Sequence, residues 1–167
     1  GMSFRFDAPL DMRMDTSRDP PAPAGRLMLA PETAIRARLA GIAELRGVYG
    51  LADAGGDVTG KPQPAAFVVF DGYGVRETVG RGKAARLALH WLVLVVARNV
   101  TQTSDGQAAR NAIAPIVDAV LASLMGWSPG DGYTPLELTD APAPQYDAGL
   151  LILPLAFVTE RVVEGAS

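Results

Sequence analysis

The sequence predicts an α+β domain, a mixed and mainly antiparallel sheet of four to five strands with two main helices packed against it. Three observations predict it. Apolar residues recur at helical spacing in two places, near 31–46 and 104–125. Runs rich in β-branched residues fill 65–70, 86–98 and 148–163. Glycine and proline punctuate what lies between. At 167 residues and 49% hydrophobic, the chain suits one domain with a true core.

Residues 2–27, ahead of that domain at 28–167, read as an arm. They alternate Arg and Asp, then run into prolines, with no sustained helical or strand period. Gly1 before Met2 reads as a cloning remnant, and Met28 is a second candidate start for the domain. The arm is either a flexible tail or a segment that docks on a neighbouring subunit through Phe4, Phe6, Leu10 and Met12.

The first helix is expected over 31–46. Pro31 suits the first helical position, and Glu32 favours the positive end of the dipole. Ile35, Leu39, Ile42 and Leu45 form one apolar face, and Gly47 ends the helix. Val48–Leu51 is a short strand, 52–63 an exposed loop and 65–70 a buried strand. Residues 71–83, with Gly72, Gly74, Gly80 and Gly82, read as a long glycine-rich connection. Residues 86–98 are apolar on both parities, which predicts a central strand covered on both faces. His90 and Trp91 fall on opposite faces of it, His90 as a half-buried residue with a hydrogen bond.

The second helix starts near Ser104, where Ser104 and Gln107 have capping-box spacing. Ile113, Val117, Val120 and Leu124 form its core stripe, and Pro115 should kink or divide it. Gly126 takes the left-handed position past the last turn, Trp127 packs back as a buried plug, and Pro129 prevents the helix from resuming. A fully buried Trp127 would cost about 3–5 kcal/mol to truncate. Strands follow in "TPLELTD" and "AGLLILPLAFVTERVV", separated by a proline-rich loop holding Tyr146. Pro154 predicts an edge position or a bulge.

The chemistry-bearing residues are sparse. There is one histidine and no cysteine, so disulfides, thiolate metal sites, thiol nucleophiles and a histidine triad within one protomer are excluded or unsupported. Gly82-Lys83 is followed by Ala84 and preceded five residues earlier by Glu77, which fails the phosphate-loop spacing. Asp131, Asp140 and Asp147 lack calcium-loop spacing. No catalytic residue, cofactor site or metal site is expected. The formal charge of −3 gives no strong pull towards nucleic acid or acidic lipid, and no apolar run is long enough to span a membrane.

The order of elements, with "PAAFVVF" (64–70), "LALHWLVLVVA", "VDAVLASLMGWSP" (117–129) and "AGLLILPLAFVT" (148–159), resembles the tail terminator proteins of long-tailed bacteriophages and prophages. The resemblance covers about residues 28–162, and the Gly-Trp-x-Pro helix end is its most specific piece. It implies a non-enzymatic assembly protein that forms a ring, typically a hexamer, on the last ring of the tail tube. Such a ring stops tube growth and presents a surface to the head-completion protein, and DNA only passes through its lumen. The implied location is the bacterial cytoplasm during assembly and then the tail of the virion.

Charge distribution fits a ring. Residues 71–86 hold Arg76, Arg81, Lys83 and Arg86 against two carboxylates, whereas 131–164 hold six carboxylates, Asp140 and Asp147 among them, against Arg161. A closed ring joins two different patches head to tail. The basic segment is therefore a candidate surface for the acidic segment of the next subunit or of the tube, the other reading being solvated faces within one protomer. The alternatives for function are another head–tail connector or minor tail component, and a small-ligand-binding domain. The last would require a deep pocket with converging polar groups.

Overall fold

The computed structural model describes residues 24–98 and 107–166. Three helices and six strands follow one another as α1 (Ala24–Leu29), α2 (Pro31–Leu39), β1 (Gly47–Gly50), β2 (Ala65–Val79), β3 (Ala84–Arg98), α3 (Gln107–Leu124), β4 (Glu137–Thr139), β5 (Gln145–Asp147) and β6 (Leu150–Glu164). The α+β reading holds, with six strands instead of four to five. All six form one sheet in the order β1-β2-β3-β6-β4, and β5 lies beside β4 along the same edge of β6. Only β1 and β2 run parallel.

β3 is the centre. It pairs with β2 on one side and with β6 on the other, all fifteen of its residues being in register with β6. Its odd positions, Leu87 to Ala97, face the helices together with Ala66, Val68, Leu151 and Phe157. Ile35 and Leu39 of α2 and Ile113, Ile116, Val120 and Leu124 of α3 close that core. The stripe on α3 thus uses Ile116 where Val117 was expected, and Val117 is half-buried. The helix runs on through Pro115, and Ser104 of the expected capping box lies outside the described residues.

The opposite face has no helix. Ala65, Phe67, Val96 and Leu150 form a smaller cluster there under Tyr49, Leu51, Ala54 and Val58 from β1 and the loop after it. Central Leu92, Leu94, Ile152 and Pro154 are only half-buried. His90 sits on this side, half-buried and opposite Val158, and its imidazole makes no hydrogen bond among the described residues.

Four expectations change. The first helix stops at Leu39, and residues 40–45 continue as tight turns with Ile42 N–H donating to Leu39 O (3.0 Å) and Leu45 N–H to Ile42 O (3.2 Å). Three-residue turns keep Ile42 and Leu45 on the same side as Leu39, so the apolar spacing survives without the helix. Gly47 opens β1 instead of ending a helix. α1 begins at Ala24, inside the segment read as arm. Residues 71–79 are strand, so β2 and β3 make one long hairpin with a tip at 80–83.

Pro154 is neither at a bulge nor on a wholly open edge. It opposes Leu94 in unbroken register with β3, and on its other side β5 pairs to 150–152 and β4 to 156–158. The proline falls in the gap between the two short strands, where no neighbour requires its missing N–H. Tyr146, expected in a loop, lies in β5.

β5 turns into β6 through Ala148 (φ 51°) and Gly149 (φ 78°), with Asp147 facing Leu150. Two successive left-handed residues make the primed hairpin turn, which suits Asn-Gly and strains alanine. Ala148→Asn should stabilise the fold by about 0.5–1 kcal/mol. A raised urea midpoint at constant slope would show it.

Candidate assembly interface

The distal hairpin leaves the core. Residues 71–79 of β2, the first residues of β3 and the end of β6 form a three-stranded tongue with mostly exposed side chains. Its outer edge, along β2, is unpaired among the described residues, because β1 pairs only with Ala65–Val68. Register shifts between Phe70 and Tyr73 and between Val75 and Glu77 break the regularity of that edge. Bulges of this kind blunt an edge against unwanted strand addition. The tip is built on positive φ at Gly80 (60°), Arg81 (61°) and Gly82 (88°). Such a turn aims Arg81 and Lys83 outward, and both are exposed.

The structure divides the four basic residues into two pairs. Arg76 Nε lies 3.2 Å from Glu160, and Arg86 lies 3.1 Å from Glu77 and 3.6 Å from the second oxygen of Glu160. These four side chains form a ladder across β2, β3 and β6 on the helix-free face. Half-exposed ion pairs add little stability individually, but they fix the tongue's side chains. Arg81 and Lys83 have no ion pair among the described residues. So the basic segment does meet part of the acidic segment within one protomer, through Glu160, and leaves the two tip cations unused.

The remaining acids lie elsewhere. Asp140 follows β4 and Asp147 ends β5, both exposed. Asp147 pairs with Leu150 at one end of β6, while the tongue's Ala84 pairs with Glu164 at the other. Fifteen strand residues separate those ends, roughly 45 Å at the usual rise. Tip cations and Asp147 cannot meet in one protomer.

Apolar residues share the tongue. Tyr73 (54% exposed) and Val75 (56%) stand on the helix side beside the free edge, and Val79 and Val162 stand on the other side. Surface apolar residues collected on one protruding element suggest a contact surface. The sequence hides them, because Gly72, Gly74, Gly80 and Gly82 give 71–83 the pattern of a connection.

The helix stop is real but works differently. Gly126 has φ 78°, and its N–H donates to Leu136 O (2.9 Å), while Leu136 N–H donates to Trp127 O (2.9 Å). The glycine thus ties the end of α3 to the segment entering β4, and Leu136 is the buried plug. Trp127 is only half-buried, with the Arg38 guanidinium 5.0 Å over its ring. Arg38 Nε donates to Ser123 O (2.9 Å), so one cation joins α2 to the carbonyl end of α3. The cost expected for a fully buried Trp127 therefore does not apply. Pro129 is buried beyond it.

A third junction centres on Tyr133. Its hydroxyl donates to Leu27 O of α1, and the Arg161 guanidinium lies 4.7 Å over its ring. Burial pushes the Tyr133 phenol above its ordinary range, and Arg161 opposes this in part. The unfolded chain then loses this proton first as pH rises. The contribution is whole below the ordinary tyrosine range near pH 10 and disappears as pH climbs through the folded value. Thermal unfolding from pH 8 to 11 should show a fall above pH 10 that Tyr133→Phe reduces.

The described residues hold no cluster of three or more potential metal ligands. A small hollow at the tongue is lined by Glu77, Val79, Ala84, Ala85, Arg86 and Val162. No helix among the described residues is long and apolar enough to cross a membrane. The family model described as phage tail terminator protein matches residues 26–166, from α1 to beyond β6. The chain belongs to the phage tail terminator family. No curated protein matches it. Terminator proteins are structural assembly proteins, and this family places the chain among phage tail components.

Proposed function

We propose that this terminator protein closes the tail tube as a ring, most simply a hexamer, stops tube growth and offers its far side to the head-completion protein. Assembly takes place in the bacterial cytoplasm, before the protein enters the virion, and DNA passes through the lumen only in transit. No catalytic step is involved. Family membership supports the tail role. The observation that supports a ring is the separation of opposed charges, with Arg81 and Lys83 on the tongue and Asp140 and Asp147 at β4–β5. The tip cations and Asp147, at opposite ends of β6, can meet only between chains, which is the head-to-tail geometry a cyclic assembly needs. Such complementarity sets register and association rate more than affinity.

Light scattering on the protein alone and with tail tubes tests this reading. Six copies of a 17.5 kDa chain have a mass of about 105 kDa. That mass, or a monomer that binds tube ends and halts their extension, supports it. A monomer that leaves tubes growing would overturn it.

A further inference from the structure

The helix-free face carries an apolar trough of about 230 Å³. Leu92, Leu94, Ile152 and Pro154 make its floor, and Val58 and Pro142 rise at its two sides. Its floor lies at the middle of the sheet, where covered strands normally carry such residues. The described part of the chain does not fill it.

The sequence contains a segment of matching chemistry. Between residues 4 and 15 every even position is apolar: Phe4, Phe6, Ala8, Leu10, Met12 and Met14. Every odd position is charged or proline: Arg5, Asp7, Pro9, Asp11, Arg13 and Asp15. The arm as a whole has no sustained period, but these twelve residues alternate strictly, the pattern of a strand with one buried face. Laid over a sheet, such a strand directs its apolar row down and its charged row to solvent. Phe4 and Phe6 are two residues apart, as are Leu92 and Leu94, so the two pairs have the same spacing of roughly 7 Å.

We infer that the trough receives residues 4–14 of a neighbouring copy, Phe4 and Phe6 seated on Leu92 and Leu94. A neighbour is favoured over the same chain by geometry. α1 lies on the helix side, with Leu27 bonded to Tyr133, and the trough lies on the opposite side of the sheet. The link 16–23 contains Pro20, Pro21 and Pro23, and such a sequence extends away from its attachment instead of folding back. Only the self-association in the proposed function is assumed here.

The absence of cysteine makes the test direct. Full-length Phe6→Cys protein is mixed with full-length Leu94→Cys protein under mild oxidation, at concentrations and tube loadings where mass shows an oligomer. A disulfide between the two chains is expected. Arg5→Cys, on the charged row, should cross-link to Leu94→Cys at least about tenfold less. A Phe6→Cys/Leu94→Cys chain that closes on itself, with no bond between copies, would overturn the neighbour as occupant. An oligomer with no cross-link, or equal cross-linking from Arg5→Cys, would overturn the arm while leaving the ring. A chain that neither associates nor cross-links would overturn both. As a second readout, Phe4→Ser with Phe6→Ser should weaken self-association by about tenfold or more. An unchanged dissociation constant would count against the arm.

Discussion

Trp91→Ala is expected to lower the unfolding free energy by about 3–5 kcal/mol, the largest stability change of any substitution considered. Trp91 is 0% exposed at the centre of β3, facing Phe157 across the ladder, with the Phe70 ring 5.0 Å away. Removal of the indole opens a cavity under α2 and α3 that a continuous ladder on both sides cannot collapse to fill. Its Nε1 makes no hydrogen bond among the described residues, so no polar contact is lost. Trp91→Phe should therefore cost clearly less, because it removes volume without leaving an unpaired group. Urea unfolding of the three proteins checks both statements. Equal losses for Ala and Phe would overturn the reading that lost volume sets the cost.

Arg81→Glu combined with Lys83→Glu should leave the monomer's stability within about 0.5 kcal/mol, since both side chains are exposed and have no ion pair among the described residues. Assembly should respond strongly. Reversing two charges at a contact worth about 1 kcal/mol each weakens association by roughly 10–100-fold at low salt. The difference should shrink as salt rises and the screening length falls below 10 Å. Arg76→Gln, by contrast, removes a cation already held by Glu160 and should affect assembly much less. Sedimentation or light scattering across a salt series separates these cases. Assembly indifferent to the tip reversal would remove the charge argument for the ring.

The core strands were legible because burial leaves a simple pattern. β3 is apolar on both parities, and the stripe of α3 recurs at helical spacing. The tongue was not legible for a physical reason. The bulge between Phe70 and Tyr73 adds a residue and shifts the parity, so Tyr73 and Val75 share a face with Phe70 despite odd numbering, and a second bulge before Glu77 shifts it back. Gly72 and Gly74 then resemble loop residues. Likewise Ile42 and Leu45 keep helical spacing within turns, and nothing in their spacing marks Leu39 as the last helical residue. The charge segregation was visible, but not its division. Arg76 and Glu160 are 84 positions apart, and only the pairing of β2 and β6 with β3 brings them together.

The ladder between β3 and β6 has a mechanical consequence. Its fifteen rows run without a break from the tongue's tip to the far end of the sheet. A pull along the strands at the tip loads these rows side by side, in shear, instead of opening them one after another. Tension applied at the tip would then reach the middle of the domain without first peeling its most exposed part away.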